Sequence, residues 1–172
     1  MSDYFTHIFP LDPSMPRSEW AKLRNVLLSR GFIVEHPILP DHFKPGPTYS
    51  TFCTADPHLG DHSDIEFEDY GDKIMVAAGD NIAAPPKIPG TSKTVEDWVE
   101  FIDRWAKDTN EKWVDPVSGK SFGLFDLDWE NTLAAGKGML TLMRPGYLDA
   151  QKLADLATEI TGYKFSFSYS HI

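Results

Sequence analysis

Residues Met139 to Ser170 read MLTLMRPGYLDAQKLADLATEITGYKFSFSYS, and this stretch decides the fold class. At its end Tyr163, Phe165, Phe167 and Tyr169 alternate with Lys164, Ser166, Ser168 and Ser170. A strict period of two predicts a β-strand with one apolar and one polar face. Before it, Leu153, Leu156, Ala157 and Ile160 recur at helical spacing, which predicts a helix over about 148–161 that stops at Gly162. The apolar run Met139 to Met143 precedes Pro145 and reads as another strand. The order is strand, helix, strand.

Working outward, the chain opens on the same order. Phe5 to Phe9 is a candidate strand and Pro10 follows it. Trp20, Leu23 and Leu27 then mark a helix from Arg17 to Arg30, with Ser14 or Ser18 as a candidate cap. Gly31 and Phe32 lead into a strand, as Gly162 and Tyr163 do at the far end. A third helix is expected over Val95 to Lys107, with Trp98, Val99, Ile102, Trp105 and Ala106 inward and a capping box from Thr94 to Asp97. Asp64 to Tyr70 alternates, and the Tyr70-Gly71-Asp72 turn predicts a hairpin onto Lys73 to Ala78. Weaker strand signals lie at Tyr49 to Thr54 and Phe122 to Leu127. Two proline-rich stretches, 36–47 and 83–93, read as rigid surface loops. The expected architecture is a single α+β domain over 1–172. Its sheet is mixed or antiparallel, its three helices lie mainly on one face, and βαβ-like units stand at both ends.

The chain has 172 residues, enough to bury a core without disulfide or metal, and its single cysteine, Cys53, allows no internal disulfide. The formal net charge of −10 argues against nucleic acid and against an anionic membrane surface. No signal-like or membrane-length apolar run occurs, so the expected compartment is the cytoplasm. The same charge suits a basic-surfaced protein partner, and a homo-oligomer is compatible with it.

The densest cluster of reactive residue types is DPHLGDHSDIEFEDYGD, from Asp56 to Asp72. His58, Asp61 and His62 combine imidazole and carboxylate, which are ligand types for zinc, nickel or iron. Their order resembles the metal-binding loop of metallo-β-lactamase-like hydrolases, but Pro57 and Leu59 stand where that loop needs histidines. No metal or other cofactor is therefore expected; the metal set His58, Asp61 and His62 is kept as the alternative. Within the cluster Asp64, Glu66 and Glu68 fall on one strand face, flanked by Asp61 and Asp69, and no lysine or arginine interrupts from Asp56 to Asp72. Like charges so close repel unless paired, so Asp61, Asp64, Glu66, Glu68 and Asp69 are the expected surface for a basic partner.

Other motifs are incomplete. Ser118-Gly119-Lys120-Ser121 lacks the earlier glycine of a P-loop, and Gly136-Lys137-Gly138 lacks the third glycine of a dinucleotide fingerprint. Asp126, Asp128 and Glu130 read as a solvated strand face. Cys53 lies in an apolar run and reads as a small buried side chain. His7, His36, His42 and His171 have no partner implied by spacing. No catalytic set is complete, so the expected function is a non-enzymatic acidic binding protein, an inhibitor or neutraliser of the immunity-protein or antitoxin kind. A metal-dependent hydrolase and an assembly subunit are the alternatives.

Overall fold

The computed structural model describes residues 4–54, 64–78, 84–145 and 147–171. The opening apolar run forms β1 (Tyr4–Pro10), and α1 (Arg17–Ser29) follows Pro16. A short hairpin comes next, β2 (Ile33–Glu35) and β3 (His42–Pro45), then β4 (Cys53–Thr54) and β5 (Asp64–Asp69). The middle of the chain carries β6 (Met75–Ala78), α2 (Trp98–Lys107), β7 (Trp113–Val114), β8 (Ser121–Phe122) and β9 (Leu133–Gly136). The end supplies β10 (Gly138–Met143), β11 (Tyr147–Leu148), α3 (Ala150–Thr161) and β12 (Phe165–His171).

Six strands form one antiparallel sheet in the order β12-β1-β10-β5-β3-β2. β10 and β12 both run antiparallel to β1, which lies between them. β1 and β5 in turn flank β10 and run parallel to each other. The two strand–helix–strand units of the sequence are therefore interleaved split βαβ units, the β-α-β-β-α-β arrangement. The first unit closes on β5, because β2 and β3 form an edge hairpin instead. The expected hairpin from Asp64 to Ala78 does not form. β5 pairs with β10 and β3, while β6 pairs with β9 in a separate ladder. The reason is the side-chain pattern: Ile65 and Phe67 find a buried apolar lane beside Leu140 and Leu142, which a local two-strand ribbon does not offer.

One sheet face is apolar. Ile8, Leu140, Leu142, Ile65, Phe43 and Phe165 lie in one core with Trp20, Leu23 and Leu27 of α1 and Leu153, Ala157 and Ile160 of α3. α3 begins where Asp149 accepts the Lys152 N–H (3.0 Å), and it ends on Gly162 at φ 77°, a left-handed conformation that glycine adopts without strain. A second core gathers α2 and its neighbours: Phe101, Ile102, Trp105, Trp113, Leu124 and Trp129. It reaches the opposite face of the sheet where the Phe125 ring meets Phe9 at 5.5 Å.

Several local expectations shift. α2 buries Phe101 with Ile102 and Trp105, and leaves Val99 half exposed. The capping box at Thr94 and Asp97 is absent. Asp97 instead accepts the Trp113 indole N–H at 2.7 Å, a tertiary bond that outcompetes the local one. Neither Ser14 nor Ser18 caps α1; Ser14 turns back to Asp12. Phe122 to Leu127 breaks into a strand end and a 3-10 turn, and Glu130 and Asn131 adopt positive φ, so Asp126, Asp128 and Glu130 share no strand face.

Candidate functional site

β5 carries four of the five acids expected to meet a partner. Asp64, Glu66 and Glu68 do share one face, away from α1 and α3, and Ile65 and Phe67 lie on the other. The repulsion expected among them is relieved within the chain. Lys44 of β3 pairs with Asp64, and His42 Nδ1 lies 3.3 Å from Glu66 Oε1. Glu68 accepts the Thr141 hydroxyl and the Tyr70 phenol. Arg17 donates to Asp69 from Nη2 at 2.7 Å and from Nε at 2.9 Å. Burial works against the Asp69 carboxylate, but the Gly71 N–H and the Arg17 guanidinium outweigh it and hold its pKa below the usual range. Apart from Tyr70, which follows β5 directly, these groups come from β3, β10 and α1. The fifth acid, Asp61, lies outside the described residues, as do His58 and His62. Among the described residues no three His, Cys, Asp or Glu side chains converge as a metal site.

On the same sheet face a chain of hydrogen bonds runs inward from Glu68. His7 Nδ1 is 3.0 Å from the Thr141 hydroxyl, and His7 Nε2 is 3.1 Å from the Ser170 hydroxyl. Thr141 gives its only proton to Glu68, so toward His7 it accepts, and Nδ1 carries the ring proton. His7 is only 7% exposed. Burial lowers its pKa, and the opposing pull of Glu68 is weaker. The ring is therefore neutral near pH 7, and its Nε2 lone pair accepts from Ser170. Ser168, 1% exposed and opposite His7 in the ladder, has a hydroxyl with no partner among the described residues. Burial, then Glu68, raises the Tyr70 phenol well above its usual range.

The apolar side of β5 borders a cleft of about 590 Å³ lined by Arg17, Trp20, Ala21, Arg24, Asp41 and Phe67. A second cleft of about 400 Å³ shares Arg24 and Asp41 with it and continues past Leu28, His36, Leu39 and Pro40. The two make one trough between α1 and the β2–β3 connection. Arg24 is half buried there and makes no ion pair with any described residue. The connection itself is held stiffly. His36 Nδ1 accepts the Ile38 N–H (3.1 Å) and the Leu39 N–H (2.9 Å), and the His36 N–H donates to the His42 carbonyl at 3.0 Å. Pro37 and Pro40 fix φ on either side, and Asp41 closes the turn at φ 63°. The result presents Ile38 with 81% of its surface exposed.

Two further candidates resolve into structure. Cys53 is buried, its thiol donates to the Pro145 carbonyl, and burial raises its pKa more than the Tyr49 hydroxyl lowers it, so it stays a thiol. The Asp115 to Ser121 stretch is a loop gathered by Asp115. That carboxylate accepts Lys93 Nζ and the Ser118 hydroxyl, both at 2.6 Å, and these two hold its pKa far below the carboxylate range. Compared with known proteins, the chain matches no family model, no curated protein and no solved structure.

The sequence reading missed His7 and Arg24. His7 takes its two partners from positions 134 and 163 residues away, so no spacing rule connects them. The available signal was a polar residue inside an otherwise apolar strand, which requires a buried partner somewhere. Arg24 follows Arg17 by seven residues on one helix stripe, a pattern that is visible in the sequence but carries no meaning until the facing wall is known.

Proposed function

We propose that this chain is a non-enzymatic acidic binding protein that inhibits or neutralises a protein partner, in the manner of an immunity protein or antitoxin. The observation that carries this reading is the stiff connection between β2 and β3, which holds Ile38 and Leu39 in water beside an open trough. A large apolar side chain carried on a backbone already held in place needs little ordering of the loop on binding, which is what an interface anchor requires. The net charge of −10, with Asp64, Glu66, Glu68 and Asp69 on the neighbouring strand, supports a basic-surfaced partner drawn in by the field.

The test compares two immobilised proteins, the wild type and Ile38→Asp, against one extract of the source cells. Quantitative mass spectrometry is expected to find a partner retained by the wild type and depleted about tenfold or more by the substitution, roughly the 1.4 kcal/mol that one lost anchor contributes. The purified partner is then expected to lose its own activity on adding the wild type. Equal retention by both proteins, with Ile38→Asp folded, refutes the reading.

A further inference from the structure

The lane beside β5 is only half filled. In an antiparallel ladder, successive residues turn their backbone groups to opposite neighbours. The Tyr70 N–H donates to the Lys137 carbonyl at 2.8 Å, so Tyr70, Glu68, Glu66 and Asp64 face β10. The N–H and C=O groups of Ile65, Phe67 and Asp69 face the other way. There β3 pairs with Ile65 and Glu66 and begins only at His42. The same register sets Asp41 opposite Phe67; past it no described strand covers β5, and Phe67 and Asp69 line the 590 Å³ cleft.

The opposite wall is α1. Arg17 stands at the Asp69 end, tied to that carboxylate. Arg24 stands two helical turns further on, about 10 Å away, at the Asp41 end. About 10 Å is also the span of three strand residues. Trp20 borders the space between, 6% exposed, and its indole Nε1 has no hydrogen-bond partner among the described residues.

We infer that the cleft takes the C-terminal residues of the partner chain, added to β5 as a short antiparallel strand with the terminal carboxylate on Arg24. The direction follows from the blocked lane. A segment that enters past Asp69 and runs antiparallel to β5 meets Asp41 and the start of β3 head-on, so it ends there. An end at that point is a free carboxylate, and the half-buried Arg24 guanidinium, which makes no ion pair with any described residue, binds it with two parallel hydrogen bonds. Main-chain pairing on an open edge supplies affinity without demanding a particular sequence. The inference rests on the protein-binding reading and names the part of the partner that is recognised.

Fluorescein-labelled heptapeptide libraries test it by fluorescence polarisation, one library with free C-termini and an otherwise identical one amidated. Free-acid peptides are expected to bind about tenfold or more tightly than their amides, the range of one charge-assisted contact. The preference is expected to vanish in Arg24→Gln and to be partly kept in Arg24→Lys, both checked as folded by circular dichroism. Equal binding of acids and amides, or no binding by either, overturns the inference. So does a concentration-dependent dimer of this protein that Arg24→Gln abolishes, since a second copy would then be the occupant. The Ile38→Asp comparison reads a different surface element. A partner lost in Ile38→Asp but indifferent to Arg24→Gln and to removal of its own last residues sinks this inference alone.

Discussion

His7 is buried between two hydroxyls, and its protonation is coupled to the stability of the fold. Its native pKa lies below the ordinary value of 6.5, with burial as the chief cause. Below pH 6.5 the unfolded chain takes up a proton that the native chain refuses, so stability falls with pH until the native pKa is passed. Above pH 6.5 neither state is charged and the contribution is flat. His7→Phe removes both hydrogen bonds and leaves the buried Ser170 hydroxyl unpaired, at a cost of about 1–3 kcal/mol near pH 7.5. Urea denaturation from pH 7.5 down to pH 5 is expected to find the gap between wild type and variant narrowing, because only the wild type carries the histidine penalty. A gap constant with pH would mean that His7 titrates equally in both states. Tyr70 adds to the same network: its phenol stays protonated and remains a donor to Glu68 across the whole range.

At the scale of elements, the two split units differ in how firmly they are closed. α3 has both ends satisfied, with Asp149 capping its first turn and Gly162 turning the chain into β12. α1 has no side-chain cap, since Pro16 occupies that position, and relies on the burial of Trp20, Leu23 and Leu27. Asp149→Ala is therefore expected to lower global stability by about 1 kcal/mol, read as a lower urea midpoint at unchanged slope. An unchanged midpoint would show that packing alone fixes the start of α3. The helix ends and the alternation of β12 were legible because each is a local signal: a glycine beyond the last apolar turn, and aromatics at every second residue. The pairing of β5 was not legible. The Tyr70-Gly71-Asp72 turn is a sound hairpin signal, and it lost to a buried lane next to β10, about 70 residues away in sequence. The acids of β5 were legible as a face but not as paired groups, because Lys44 and His42 belong to β3, Thr141 to β10 and Arg17 to α1.

Across the whole molecule the charge is uneven in consequence as well as in number. The sum of −10 acts at a distance, whereas the pairs on β5 act only locally. On the binding function proposed above, a basic-surfaced partner feels the sum first, and the Ile38 anchor and the trough decide how long it stays. Association is therefore the step that salt controls. The Debye length is about 10 Å at 0.1 M and contracts to about 3 Å at 1 M, so the field beyond the first contacts disappears over that range. Measured by stopped flow against the partner retained through Ile38, the on-rate is expected to fall about tenfold or more between 0.05 and 0.5 M salt. The off-rate is expected to change far less, since anchor and main-chain contacts are not screened. Glu66→Gln separates the two roles proposed for β5. It removes one charge from the field and leaves His42 with a neutral neighbour, so a modest loss of on-rate with an unchanged off-rate places β5 in steering. A faster off-rate would place Glu66 in the contact itself. An on-rate indifferent to both salt and Glu66→Gln would remove long-range steering from recognition and leave the whole of it to the contacts in the trough and on its loop.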